Sequence, residues 1–260
     1  MLHGKRILIT GVVNTGSIAW VVAERAQQLG GEVLLTAFER DRERTLEARD
    51  ELPEPVDVLE LDVTEPEHFE RLTEELRERW GRLDAALHAV AFAPRAALAG
   101  DFLAADLDSV QRAFATSTFS YASLARVLAS LAPESGGSLV GLDFDAAGAW
   151  PIYNWMGVCK AALEAASRYV ARDLGPRGIR SNLVAAGPLA TRAAGGIPEF
   201  ERLIEAWEEM APIPWDPEDA GPVADAVCFL LSDLARSVTG EILHVDGGFH
   251  AVSARLRRAE

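Results

Sequence analysis

Tyr153 and Lys160 lie seven positions apart, in the run Tyr153-Asn154-Trp155-Met156-Gly157-Val158-Cys159-Lys160. In a helix, seven steps turn the chain through about 700°, some 20° short of two full turns, so both side chains share one face, about 10 Å apart along the axis. A phenol and an ammonium so placed suit electrophilic work on a carbonyl. The O–H donates to an oxygen gaining negative charge, while the ammonium favours that state and its donors hold a diol. The competing interpretation is a packing tyrosine and a solvated lysine. Composition weighs against it. Of the 25 basic residues only Lys5 and Lys160 are lysines, so where a solvated positive charge suffices this chain carries arginine. Lys160 also interrupts an apolar run, residues 158–163 (VCKAAL). A planar guanidinium does not replace a compact ammonium that must reach two hydroxyls.

A second segment suits an anion. The run RILIT at 6–10 leads directly into Gly11-Val12-Val13-Asn14-Thr15-Gly16-Ser17-Ile18-Ala19, where a helix begins with Ser17 in the cap position. Free N–H groups and the positive end of a helix dipole favour a pyrophosphate. The spacing is neither G-x-G-x-x-G nor a Walker loop, and a plain connecting turn would look similar. Position strengthens the signal, because this is the first strand–helix unit, where dinucleotide folds bind phosphate. Further along, Thr36-Ala37-Phe38-Glu39-Arg40, Asp62-Val63 and Ala89-Val90-Ala91-Phe92 each end a strand-like run. The small residues there allow close backbone approach to an adenosine, although Ala89 and Ala91 could equally be core. Gly187-Pro188-Leu189-Ala190-Thr191 offers backbone and a hydroxyl for a carboxamide. Asp246-Gly247-Gly248 reads as a structural turn.

The elements that must position these groups alternate. Strand-like runs at 6–10, 32–38, 56–61, 83–91, 138–143, 180–185 and 241–245 are apolar and mostly continuous, as in strands buried on both faces. Helical patterns lie between them at 17–29, 40–50, 65–80 (opened by a Thr64-x-x-Glu67 capping pattern), 106–132, 155–174 and 219–232. Such alternation predicts one α/β domain over residues 1–260: a doubly wound, Rossmann-type, mostly parallel seven-stranded sheet with helices on both faces. Its strand C-termini, and hence the site, fall on one edge.

Composition narrows the partners. With 40 acidic residues against 25 basic ones the formal charge is −15, which argues against nucleic acid and against a polybasic hold on a membrane. Cys159 and Cys228 are too few and too far apart for a disulfide framework or a metal-ligand set. No apolar run reaches a membrane span and no signal peptide opens the sequence, so a cytoplasmic location is expected.

At these residues the chain resembles the short-chain dehydrogenase/reductase superfamily and, more narrowly, the enoyl-acyl-carrier-protein reductases of bacterial type II fatty acid synthesis. The six-residue gap between Tyr153 and Lys160 is the enoyl reductase pattern, where the wider superfamily has three. Gly141-Leu142-Asp143-Phe144-Asp145 and Tyr153-Asn154-Trp155-Met156 resemble the mycobacterial and actinobacterial branch. The resemblance implies NADH as cofactor. Gly11, Ser17 and Ile18 would hold its pyrophosphate, and Asp62, Val63 and Phe38 would frame the adenine. Ala89 and Ala91 would lie near the ribose, and Lys160 would grip the nicotinamide ribose. Gly187, Leu189 and Thr191 would meet the carboxamide. Tyr153 would bind the thioester carbonyl, with Phe144 as the aromatic group that orients the acyl chain and Phe92 and Met156 as further substrate contacts. Glu39 should oppose a 2′-phosphate and so favour NADH over NADPH.

Two departures stand out. Residues 192–210 fall where the family has its substrate-binding lid helix, but the segment is short, which suggests a short or medium acyl chain. That segment is also acidic, and the net charge does not steer an acidic carrier protein towards the site. Either local arginines (Arg40, Arg95 or Arg192) dock the carrier, or a coenzyme A thioester serves as substrate. A homotetramer is implied, with the apolar helices at 106–132 and 155–174 as its interface. Two alternatives remain: a carbonyl or β-ketoacyl reductase, which usually carries a serine about a dozen residues before the tyrosine, and a non-catalytic dinucleotide-binding sensor.

Overall fold

A computed structural model describes residues 1–253. Within them seven strands form one sheet: β1 (Arg6–Ile9), β2 (Glu32–Ala37), β3 (Val58–Glu60), β4 (Ala85–His88), β5 (Gly137–Asp143), β6 (Ile179–Ala186) and β7 (Ile242–Val245). Their spatial order is β3-β2-β1-β4-β5-β6-β7. Every pairing is parallel, so the sheet expected to be mostly parallel is wholly so. The helices are α1 (Ile18–Gln28), α2 (Arg42–Asp50), α3 (Pro66–Trp80), α4 (Arg95–Leu98), α5 (Leu107–Phe114), α6 (Ser120–Leu131), α7 (Asn154–Leu174), α8 (Glu201–Met210) and α9 (Gly221–Leu231).

The continuous apolar strands follow from burial on both faces, since successive side chains point to opposite sides. Ile7, Ile9, Leu35, Leu87, Val140 and Val184 pack into one core, with α1 and α9 over it. Leu8, Leu34, Ala86, Leu139 and Leu183 pack into the other, beneath α3, α6 and α7. The order reverses between β1 and β4, which opens a crevice at their C-terminal ends.

Four departures from the sequence expectation bear on the site. β4 ends at His88, so Ala89–Ala91 are loop rather than strand. Thr64 does not cap α3: Pro66 starts the helix, Glu65 precedes it, and the Thr64 hydroxyl donates instead to Asp62 Oδ1 at 2.7 Å. The helix expected over 106–132 contains a π-helical turn, Ala115–Phe119, between α5 and α6. The wider turn places Thr116, Ser117 and Thr118 in succession against the interior, where all three are buried. Finally, α7 starts at Asn154, itself at φ +37°, one residue ahead of the expected 155, and Tyr153 directly precedes the helix.

Candidate active site

The loop after β1 is held by its own polar side chains. Gly11 has φ +84°, and a Cβ there would lie 2.1 Å from the Ala89 carbonyl oxygen, so only glycine lets the loop cross the end of β4. Thr10 stitches the crossing: its hydroxyl donates to Leu87 O (3.0 Å) and accepts from Ala89 N (3.1 Å). From α2, the buried Thr45 donates to Val12 O at 2.7 Å. Ser17 occupies the cap position of α1 without capping it. Its oxygen accepts from Val13 N and Asn14 N (3.2 Å each) and donates to Asn14 Oδ1. The first amides of α1, at Ile18 and Ala19, have no acceptor within the helix, as an anion site requires.

Phe38, at the end of β2, is exposed with the Arg40 guanidinium 5.4 Å from its ring centre. Asp62 and Val63 follow β3. The Asp62 carboxylate accepts from Thr64, and its backbone N–H donates to His68 Nδ1 (3.1 Å). Ala91 and Phe92 are exposed at the rim, and the buried Ser117 of the π turn bonds both the N–H and the C=O of Phe92 at 3.0 Å. On the far side Gly187 is again obligatory: a Cβ would meet Trp207 and Trp215, both at 2.8 Å. Leu189 is buried in the core, so any polar contact it offers comes from its backbone. The Thr191 hydroxyl accepts from Ala194 N at 3.2 Å. Asp246 accepts from Gly248 N and His250 N, making the last triplet the structural turn expected of it.

Tyr153 and Lys160 are both buried, which removes the solvated-lysine interpretation. Lys160 Nζ donates to Leu142 O at 2.8 Å and lies 4.0 Å from Asp143. Burial lowers its pKa, and the charge of Asp143 opposes that change. Asp143 ends β5 with neither carboxylate oxygen in a hydrogen bond of regular geometry. Burial outweighs the Lys160 charge there and pushes the carboxyl up to about 7. Burial, then the Asp143 charge, raises the Tyr153 phenol above its ordinary value, so the group stays a proton donor at neutral pH. Met156 and Cys159 pack with Tyr153 in one cluster, against which Phe144 and Trp150 rest. The Phe144 ring lies 5.2 Å from that of Tyr153.

Beside them the buried His88 has its pKa lowered to about 3 by burial and the Lys160 charge, so it is neutral. Ser120 gives its proton to Thr116 O (2.6 Å), so the 2.7 Å contact is assigned as His88 Nε2–H donating to Ser120. Thr118 donates to Cys159 O at 2.8 Å and ties the π turn to α7.

The pattern-derived residues thus converge on one edge of the sheet. What sequence reasoning missed are the groups that hold them: Thr10, Thr45, Ser117, Thr118, His88 and Asp143. Of these Asp143 stood inside a segment that carries the family resemblance; the threonines and Ser117 carried no signal.

The family model described as enoyl-(acyl carrier protein) reductase matches residues 11–250. This chain belongs to the enoyl-acyl-carrier-protein reductase family. It is 41% identical to the NADH enoyl-acyl-carrier-protein reductase of Mycolicibacterium smegmatis, covering 95% of this chain and 97% of that one. The same enzyme of Mycobacterium avium is also 41% identical, over the same shares of both chains. The NADH enoyl-acyl-carrier-protein reductase 1 of Rhizobium meliloti is 37% identical, covering 98% of this chain and 93% of its own. The site fits the family's dinucleotide. Glycine alone permits the Gly11 crossing, α1 presents its free amides beside it, and Lys160 spends one of its donors on Leu142 O and retains two.

Proposed function

We propose that this chain reduces trans-2-enoyl thioesters with NADH, in the manner its relatives are named for. The observation that carries the reading is the buried Tyr153–Lys160–Asp143 group at the strand edge where the Gly11 loop meets α1. NADH, when bound, supplies the hydride that adds to the β-carbon of the enoyl group. Tyr153 donates a hydrogen bond to the thioester carbonyl oxygen, where negative charge grows as the enolate forms. A phenol held protonated by burial does this without ionising. Lys160 holds the nicotinamide ribose hydroxyls with its remaining donors, and its charge favours the enolate. A proton then reaches the α-carbon. Gly11, Ser17 and Ile18 take the pyrophosphate; Phe38, Asp62 and Val63 frame the adenine; Ala89 and Ala91 lie by the ribose; Gly187, Leu189 and Thr191 meet the carboxamide. Phe144, Met156 and Phe92 contact the acyl group.

The substrate carrier in this reading is acyl carrier protein or coenzyme A. The lid is α8 with the turn before it, and α8 carries Glu201, Glu205, Glu208 and Glu209 against Arg202. An acidic carrier would therefore dock on arginines elsewhere, and comparison of the two thioesters at several salt concentrations separates the carriers. A homotetramer accounts for apolar side chains left exposed along α5, the π turn and α7: Leu107, Phe114, Phe119, Val158 and Tyr169. Sedimentation measures it. No helix among the described residues is long and apolar enough to cross a membrane, and both cysteines are free and buried. A cytoplasmic enzyme fits these facts.

The deciding assay follows NADH absorbance with a crotonyl thioester. Wild-type protein should oxidise NADH only when the enoyl substrate is present. Tyr153→Phe should lower kcat by about 10²–10³ with NADH binding retained. Intact NADH binding without enoyl-dependent oxidation would instead make the chain a dinucleotide sensor, and turnover of a ketone in preference to the enoyl would make it a carbonyl reductase.

A further inference from the structure

Beside Phe144 three more aromatic rings pack together, and the first of them, Trp150, also accepts the Tyr153 N–H at its carbonyl (3.3 Å). Trp150 stands in the loop after β5, Trp207 on α8, and Phe249 after β7. The Phe144 ring centre lies 5.1 Å from that of Trp150 and 5.7 Å from that of Trp207. Trp207 stacks on Phe249 at 3.8 Å, nearly parallel at 8°, and meets Trp150 at 5.3 Å. Trp150 closes the group against Phe249 at 5.7 Å.

This cluster is fixed rather than merely collapsed. Each indole N–H is spent on a backbone carbonyl of a strand-end loop: Trp150 Nε1 donates to Asp145 O at 2.6 Å, and Trp207 Nε1 to Asp246 O at 3.0 Å. Asp246 in turn accepts from Gly248 N and His250 N, which sets the backbone on either side of Phe249. Trp207 is 2% exposed. Its indole also rests on Gly187, where a Cβ would lie 2.8 Å from Nε1. Moving Trp207 outward therefore breaks a ring stack, a buried hydrogen bond and a close backbone contact together.

We infer that the Trp150–Trp207–Phe249 cluster is the end wall of the acyl site and makes Trp207 the residue that restricts this chain to short enoyl thioesters. The inference rests on the enoyl-reductase reading, because that reading seats the thioester carbonyl at Tyr153 with the acyl chain leaving past Phe144. In a site open at its far end, each methylene buried raises the specificity constant about fourfold. Against a wall that gain stops, and an added methylene must displace packed rings.

The test compares kcat/KM for crotonyl, octenoyl and dodecenoyl thioesters of coenzyme A in wild type, Trp207→Ala and Phe249→Ala. Phe249→Ala removes one face of the stack and leaves the indole anchored, so it serves if Trp207→Ala does not fold; thermal melting and NADH binding report that. Wild type should prefer the crotonyl or octenoyl thioester to the dodecenoyl one. Either variant should raise the ratio of dodecenoyl to crotonyl specificity constants by about tenfold or more. A wild-type constant that climbs steadily to dodecenoyl, or folded variants with an unchanged ratio, would overturn the wall while leaving the reaction standing. No enoyl reduction at any length would overturn both.

Discussion

Replacing Asp143 with asparagine keeps the shape of a buried side chain and removes its charge. An ordinary aspartate releases its proton near 3.8, whereas burial holds Asp143 up to about 7. Between those values the folded chain binds one more proton than the unfolded chain. The stabilisation is therefore full below the lower value and is lost as pH rises through the upper one. From about pH 5 to pH 8 the charged form is imposed over some two pH units, at about 1.36 kcal/mol each, or roughly 3 kcal/mol. Lys160, whose pKa is lowered, has the opposite linkage, at the alkaline end. Losing its counter-charge in the variant strengthens that linkage, so both contributions separate the two proteins in the same direction. One kcal/mol moves the melting temperature of a chain this size by about 2–4 °C. Melting measured across this pH range at one protein concentration should show wild type losing roughly 6–12 °C more than Asp143→Asn. Parallel curves for the two proteins would refute the argument that burial dominates over Lys160 at this carboxyl.

Three further outcomes are expected. Gly11→Ala forces a left-handed residue and a Cβ against Ala89 O, so it should cost about 2–5 kcal/mol in denaturant titrations and weaken NADH binding; a stable variant with normal affinity would show that the crossing is looser than it is described. Lys160→Arg should raise the NADH dissociation constant about tenfold or more despite keeping the charge, because the guanidinium cannot both reach Leu142 O and hold a diol. Glu39→Ser should raise the NADPH-to-NADH ratio of specificity constants about fivefold, the value of one exposed like-charge contact; a wild type that already prefers NADPH would remove the basis for it.

The pairing of Tyr153 with Lys160 was legible in the chain because helical phase is a local property. Seven residues set it; α7 starts at Asn154, one residue ahead of the expected start, and both side chains are buried. The parallel sheet was legible for a similar reason: strands buried on both faces must be apolar throughout, and that shows in each run separately. Gly11 and Gly187 were visible as glycines, but their necessity was not. Both are required by a backbone or indole that arrives from far along the chain, Ala89 in one case and Trp207 with Trp215 in the other.

The sequence by itself determined the architecture, the sheet edge proposed as the site and the two groups proposed to act there, because periodicity and residue type are written locally. Only the tertiary structure decided the state of those groups. Asp143 acts on Lys160 because β5 and α7 pack together, and its carboxyl is held up to about 7 because that packing buries it. Thr10, Thr45, Ser117 and Thr118 became the clamps of the site only once their partner carbonyls and amides, 25 to 79 residues away, were folded against them. The wall of Trp150, Trp207 and Phe249 has the same origin. Three rings from three separate loops and helices become one surface when the ends of β5, β6 and β7 meet, and no local pattern records that meeting.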